Sequence, residues 1–166
     1  MKRIQVGILM GSDSDLPVME KTTEILERFE IPYFVTVASA HRTPDRVADL
    51  AQRAEAEGWK LIIAGAGMAA HLAGFIAAHT VVPVIGVPMD SSALNGLDAL
   101  LSTVQMPGGI PVATMGLGAA GAKNAGLMAV AILAAFDSDL QEKLREYRQE
   151  QKRNIEKKAA KVESSG

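Results

Sequence analysis

The sequence predicts an α/β fold, with a central parallel sheet and helices on both of its faces. Three observations carry this. Five short runs rich in Val and Ile recur along the chain, each separated from the next by a stretch with helical patterning. The runs lack clean polar alternation, which is how strands covered on both faces read. Proline and glycine stand where helices and strands begin and end. Strands alternating with helices in this way form a parallel sheet joined by right-handed crossovers.

The elements follow in order. Arg3–Leu9 is apolar and β-rich, and Met10-Gly-Ser-Asp-Ser-Asp15 follows it. Pro17 sits in the first turn of a helix reaching about Phe29, with Met19, Thr23, Leu26 and Phe29 on related faces. Pro32 opens a second strand, Tyr33–Ala38, which leads into Ser39-Ala-His-Arg-Thr-Pro44. Thr43 is a candidate cap for a helix with Pro44 at its first position, and Gly58 ends that helix after Glu57. A third strand, Lys60–Ala64, runs into Gly65-Ala-Gly-Met-Ala-Ala-His71 and a helix of small residues. Pro83 opens a fourth strand, Val84–Val87, and Pro111 a fifth, Val112–Met115. In open parallel sheets, ligands bind beyond the carboxyl ends of the strands, where strand order reverses. If the order is 2-1-3-4-5, the loops after strands one and three flank that point, and the loop after strand two lies beside it. Those three loops are the ones of unusual composition.

Bulk properties narrow the function classes. The chain has 166 residues, enough to bury a full core, and its formal net charge of −2 comes from well-mixed acids and bases. Nothing resembles the concentrated basic face of a nucleic-acid binder. The absence of cysteine excludes disulfides, thiolate metal sites and a cysteine nucleophile, and fits a reducing cytoplasm. The N-terminal run ends in Gly-Ser-Asp without a small-residue cleavage site, so it reads as a first strand and not as a signal peptide. Gly116 to Phe136 is rich in Ala, Gly, Leu and Val, but Lys123 and Asn124 interrupt it. Its clean apolar part is about half the ~20 residues a membrane span needs, so a buried helix is expected. We therefore expect one α/β catalytic domain over residues 1–136 and a charged C-terminal helix or tail over 137–166. Leu140, Leu144, Tyr147 and Ile155 form a narrow apolar stripe on that tail. It is either a solvated helix or an arm lying on a neighbouring subunit.

Each of the three loops has a chemistry and a plainer alternative. Gly11-Ser-Asp-Ser-Asp15 joins a strand to a helix N-terminus, a place suited to an anion. Ser12 and Ser14 add hydroxyls, and Asp15 can accept hydrogen bonds from a sugar diol; alternatively Ser14 or Asp15 only caps the helix. Ser39-Ala-His-Arg-Thr-Pro44 places His41 beside Arg42, an imidazole for proton exchange next to a planar fork for phosphate, with Ser39 supporting either. The alternative is that Arg42 pairs with Asp45 or Asp49 and His41 caps the sheet. Gly65-Ala-Gly-Met-Ala-Ala matches G-x-G-x-x-A, with Asp90 near where a ribose-binding acid would lie, so a dinucleotide site is a competing reading. The other reading is a backbone lining for a small ligand, with His71 orienting the loop. His79 reads as structural. Ligand spacing for a metal and a G-x-S-x-G elbow are both absent from the sequence.

Taken together, these loops resemble class I N5-carboxyaminoimidazole ribonucleotide mutases of purine biosynthesis. Supporting segments are Pro88 through Ser92, Leu94-Asn-Gly96, Val104-Gln-Met-Pro107 and Gly121-Ala-Lys-Asn-Ala-Gly126, and the likeness covers about residues 4–136. Met68 stands where many members of that family carry glycine, and Ala99 where a serine often follows the aspartate. The resemblance implies a flavodoxin-like three-layer fold of order 2-1-3-4-5, assembled as a cytoplasmic homo-octamer. It implies a carboxylate shift from the exocyclic nitrogen of an aminoimidazole ribonucleotide to ring carbon C4, without ATP, biotin or metal; related class II enzymes carboxylate the aminoimidazole ribonucleotide directly with CO2. His41 would be the proton shuttle. Ser12 and Asp15 would bind the ribonucleotide, and Ser39 and Arg42 its phosphate. The amides of Gly67, Met68, Ala69 and Ala70 would line the carboxylate site, with His71 in support.

Overall fold

The structure, a computed structural model, describes residues 3–164. They fall into two compact units that divide between Ala129 and Val130. The first is built on five parallel strands, β1 (Val6–Met10), β2 (Tyr33–Val37), β3 (Leu61–Ala66), β4 (Val84–Pro88) and β5 (Ala113–Thr114), in the order β2-β1-β3-β4-β5. This is the expected order. β1 pairs with β2 on one side, ending at Met10 opposite Val37, and with β3 on the other, where Met10 lies opposite Gly65.

Helices α1 (Leu16–Arg28), α2 (Pro44–Glu57), α3 (Leu72–Ala77) and α4 (Leu97–Val104) connect the strands, and α5 (Gly118–Ala134) follows β5. Leu9, Ile62, Ala64 and Val84 belong to one core cluster with Val47, Leu50 and Ala54 of α2 and Leu72, Ala73 and Ile76 of α3. On the opposite face, Met19 of α1 lies against Gly65, where a Cβ would stand 2.6 Å from its Sδ. The beginning of α5 packs on α1 through Gly126, where a Cβ would stand 2.9 Å from the Cβ of Ile25. The small residues of this helix therefore serve a close approach inside the unit.

Several local expectations need correction. β2 is an edge strand whose Val35 and Val37 are exposed, so it is not covered on both faces. β5 is two residues long, because only Ala113 and Thr114 find ladder partners, on Ile85 and Gly86. β3 runs two residues beyond Ala64, since Gly65 and Ala66 pair with Val87 and Pro88 of β4. On α1 the buried polar residue is Thr22 and not Thr23; its hydroxyl donates to the carbonyl of Ala122 at 2.7 Å, which makes burial affordable. Thr43 precedes α2 but does not cap it with its side chain; its hydroxyl accepts from the Ser39 N–H at 3.0 Å and donates to the Ser39 carbonyl at 3.1 Å.

The second unit contains α6 (Ser138–Glu163), capped by Asp137, whose carboxylate accepts from the Leu140 N–H at 3.0 Å. Leu140, Leu144 and Tyr147 are buried, whereas Ile155 is exposed, so the stripe does not extend along the helix. No helix among the described residues is long and apolar enough to cross a membrane.

The tightest steric constraint in the sheet is at Gly7, where a Cβ would overlap the ring of Trp59. That ring is buried, donates its Nε1–H to Glu57 at 3.0 Å and packs 5.4 Å from the ring of Phe34. It has no room to retreat, so Gly7→Ala should destabilise the chain by about 1–3 kcal/mol, as overpacking of a tight core does. Urea unfolding read by the fluorescence of Trp59, the one tryptophan, measures this; an unchanged midpoint would show that the ring yields.

Candidate active site

The ends of β1, β2 and β3 deliver their loops to one side of the sheet, and a cavity of about 480 Å³ opens between them. Its walls include Ser12 and Asp15 from the first loop, Ser39, His41 and Arg42 from the second, and Gly67, Met68, Ala69 and His71 from the third. Nine of the ten residues expected at a site thus meet in one place. Ala70 does not line the cavity: it is buried, and its N–H donates to the Met68 carbonyl at 2.9 Å. The His71 N–H likewise donates to the Ala69 carbonyl, at 2.8 Å.

The first loop is a short 3-10 turn, Asp13–Asp15, held by a reciprocal cap. The Ser12 hydroxyl accepts from the Ser14 N–H at 3.3 Å, and the Asp15 carboxylate accepts from the Ser12 N–H at 3.2 Å. Asp15 is therefore a capping residue as well as a wall of the cavity. Burial raises its pKa above the ordinary 3.8; the Ser12 N–H opposes this, Asp13 adds to it and Arg42 opposes it.

The second loop is tied to the first. Arg42 donates from Nε to the Ser39 hydroxyl at 3.3 Å and from Nη2 to the Gly11 carbonyl at 2.9 Å. Neither Asp45 nor Asp49 takes it as an ion pair, so the remaining donors of the fork are available to an anion. His41 meets the third loop, its Nε2 lying 2.7 Å from Nδ1 of His71 with the rings edge-on at 75°. At such a contact one nitrogen carries the hydrogen and the other accepts it. His79 is apart from the site, with Nδ1 2.7 Å from the Phe75 carbonyl and its ring stacked on Phe75, as a structural histidine should be.

The third loop leaves the sheet only after Ala66, so Gly65 is a strand residue and not the turn glycine of a dinucleotide fingerprint. Gly67 is held close by the fourth strand's loop: a Cβ there would stand 3.2 Å from the Cβ of Met89 and 3.3 Å from the hydroxyl oxygen of Ser91. Met68 takes a left-handed backbone, φ 55°, and leaves its side chain 65 % exposed. Ser91 also lines the cavity and was not anticipated as a site residue, because a single hydroxyl after a strand carries no pattern of its own. Among the described residues, no group of three His, Cys, Asp or Glu side chains is arranged to hold a metal ion.

The Asp15 carboxyl gives a stability prediction with a definite sign. Its raised pKa means that the folded chain holds the proton more tightly than the unfolded chain does. The resulting cost to stability is absent below the ordinary value of 3.8, grows as pH rises through the elevated folded value, and is complete above it. Asp15→Asn should therefore raise the melting temperature at pH 7, with the gain shrinking as pH is lowered towards 4. A gain that is equal at both ends of that range would show that burial of the charge is not its source.

Comparison with known proteins agrees with this geometry. The family model described as AIR carboxylase matches residues 5–154. The chain is 57% identical over 161 residues to the N5-carboxyaminoimidazole ribonucleotide mutase of Pyrococcus horikoshii, covering 97% of this chain and 90% of that protein. It is 54% identical over 162 residues to the mutase of the same name from Thermotoga maritima, covering 98% and 94%. The crystal structure of Treponema denticola PurE superposes with a TM-score of 0.86 at 32% identity, covering 96% of this chain and 98% of that one. A family-model match over most of the chain, joined to relatives of more than half identity along nearly its whole length, means that the chain belongs to the AIR carboxylase family.

Proposed function

We propose that this chain is an isomerase that converts N5-carboxyaminoimidazole ribonucleotide to 4-carboxy-5-aminoimidazole ribonucleotide, a step of purine biosynthesis in the cytoplasm. The observation that carries the reading is the 2.7 Å contact between His41 and His71 in a cavity that also holds Arg42 and Asp15. Arg42 and Ser39 are suited to the phosphate, and Ser12 and Asp15 to the ribose. The base then falls beside the imidazoles and the Gly67–Ala69 backbone.

The reaction breaks the bond between nitrogen and carboxylate, and CO2 leaves with its carbon in the same oxidation state. The electron pair returns to the nitrogen, which takes a proton. The electron-rich ring then attacks CO2 from C4, and the proton on C4 departs. One proton is delivered and one removed, so no external acid, base or oxidant is consumed. Neutral His41 can carry its hydrogen on Nε2, donating to His71 and leaving Nδ1 to accept, or on Nδ1, with Nε2 accepting from His71 Nδ1–H. As Nδ1 gains a proton, a hydrogen passes to His71 and His71 Nε2 releases one; the reverse sequence lets Nδ1 donate, which is what a two-way shuttle requires. Retaining CO2 in the cavity makes its recapture effectively intramolecular.

The decisive assay starts from N5-carboxyaminoimidazole ribonucleotide in EDTA-treated buffer containing labelled bicarbonate. The expected outcome is full activity and a product carrying the substrate's own unlabelled carboxylate. Product labelled to the level of the medium would indicate direct carboxylation, and activity lost to EDTA and restored by a metal would indicate metal chemistry. His41→Asn should lower turnover by ~10²–10⁴ with the fold intact; a near wild-type kcat would remove His41 from the shuttle.

The same reading includes a homo-oligomer, with eight subunits taken from the family resemblance. On the tail stripe, Leu140, Leu144 and Tyr147 are buried, so these residues are not open to a neighbouring subunit. Support comes instead from α4, where Leu97, Leu101 and Val104 are 53%, 47% and 48% exposed at helical spacing, with Leu94 exposed just before them. An apolar ridge of this kind favours burial against a second copy. Light scattering after gel filtration should give a mass several times 17.5 kDa, and Leu101→Glu should reduce it. A monomer with full activity would rule the assembly out.

A further inference from the structure

We propose that Ser91 is a substrate-binding residue, a hydroxyl that recognises the carboxylate being moved; this rests on the functional reading above. The argument begins with two adjacent serines that the fold uses differently. The Ser92 hydroxyl is fully engaged: it donates to the Asp98 carboxylate at 2.6 Å and accepts from the N–H groups of Leu94 and Gly96, both at 3.2 Å. It locks the turn between β4 and α4. The Ser91 hydroxyl makes no hydrogen bond with any described residue, and Ser91 lines the cavity. One serine thus fixes the backbone from which the other faces the ligand.

Position then selects the part of the substrate. β4 lies next to β3, with Pro88 opposite Ala66 and the Met89 N–H donating to the Ala66 carbonyl at 2.9 Å, so the two loops leave the sheet side by side. Ser91 stands against Gly67, where the hydroxyl oxygen would lie 3.3 Å from a Cβ; the glycine leaves that space open. Arg42 reaches the site from the loop after β2, three places along the sheet from β4. A phosphate on Arg42 would therefore lie toward the β2 side of the cavity, and Ser91 lies on the β4 side, against Gly67 and the backbone suited to the carboxylate. A serine hydroxyl donates well to a carboxylate and offers nothing comparable to a bare ring C–H.

Binding of the carboxylated product and of 5-aminoimidazole ribonucleotide, which lacks the carboxylate, separates the roles. Ser91→Ala should weaken binding of the carboxylated nucleotide about tenfold, the loss of one hydrogen bond to a charged group, and leave the other unchanged. Ser91→Thr, which keeps the hydroxyl, should restore most of the affinity. Equal weakening of both nucleotides, or of neither, would overturn the assignment while leaving the mutase reading standing. A wild-type protein that binds neither nucleotide would overturn the functional reading and this assignment with it.

Discussion

Everything at the site depends on the reversal of strand order at β1. The chain goes from β1 outwards to β2, returns past β1 to β3, and continues to β4 and β5. The loops after β1, β2 and β3 must therefore part company at the carboxyl edge, and the opening left between them is the cavity. Residues far apart in sequence, such as Ser12, Ser39 and Gly67, become walls of one pocket for that reason. The same reversal makes β2 an edge strand and gives it half-exposed valines, a cost carried by the side of the sheet farthest from β5.

The cavity is largely pre-formed, because its polar groups hold one another. Ser12 and Asp15 close a reciprocal cap, Arg42 ties Ser39 to Gly11, and His41 meets His71. Each tie links a group suited to ligand binding to a backbone or side chain that fixes its direction. This is preorganisation by local hydrogen bonds, and it means that little ordering remains to be done when a ligand arrives. Asp15 shows the opposing demand. Burial disfavours its charged form, yet an ionised carboxylate is what would accept hydrogen bonds from a ribose. The site retains a group that the fold alone would prefer neutral.

The alternation of strands and helices, the placement of α2 between Pro44 and Glu57, and the three loops of unusual composition were legible in the sequence, because proline, glycine and β-branched runs act locally. The strand order, which is not local, came from the family resemblance. What was not legible depended on neighbours distant in sequence. Gly65 resembled the first glycine of a turn, but it is a strand residue required by Met19 and Met89, whose Sδ and Cε would each lie 2.6 Å from a Cβ there. Thr43 had the right position for a cap, yet a bond to Ser39 across the tight loop takes its hydroxyl. The Thr22 hydroxyl could be buried only because α5 brings the Ala122 carbonyl to it. The His41–His71 contact was hidden for the same reason: neither partner announces the other along the chain.

Met68 shows how such a site varies without losing its frame. Its left-handed backbone, φ 55°, is one that glycine adopts freely and that costs other residues about 1–2 kcal/mol. The conformation is imposed by the loop, whose Ala70 N–H donates to the Met68 carbonyl at 2.9 Å and whose next N–H, that of His71, donates to Ala69 at 2.8 Å. The side chain, 65 % exposed, contributes little packing to offset that cost. Met68 therefore holds a backbone path that glycine would take at less cost, and it forms part of the cavity wall. The bonds at Ala70 and His71 run between backbone groups and make no use of the Met68 side chain, which borders the pocket without taking part in them.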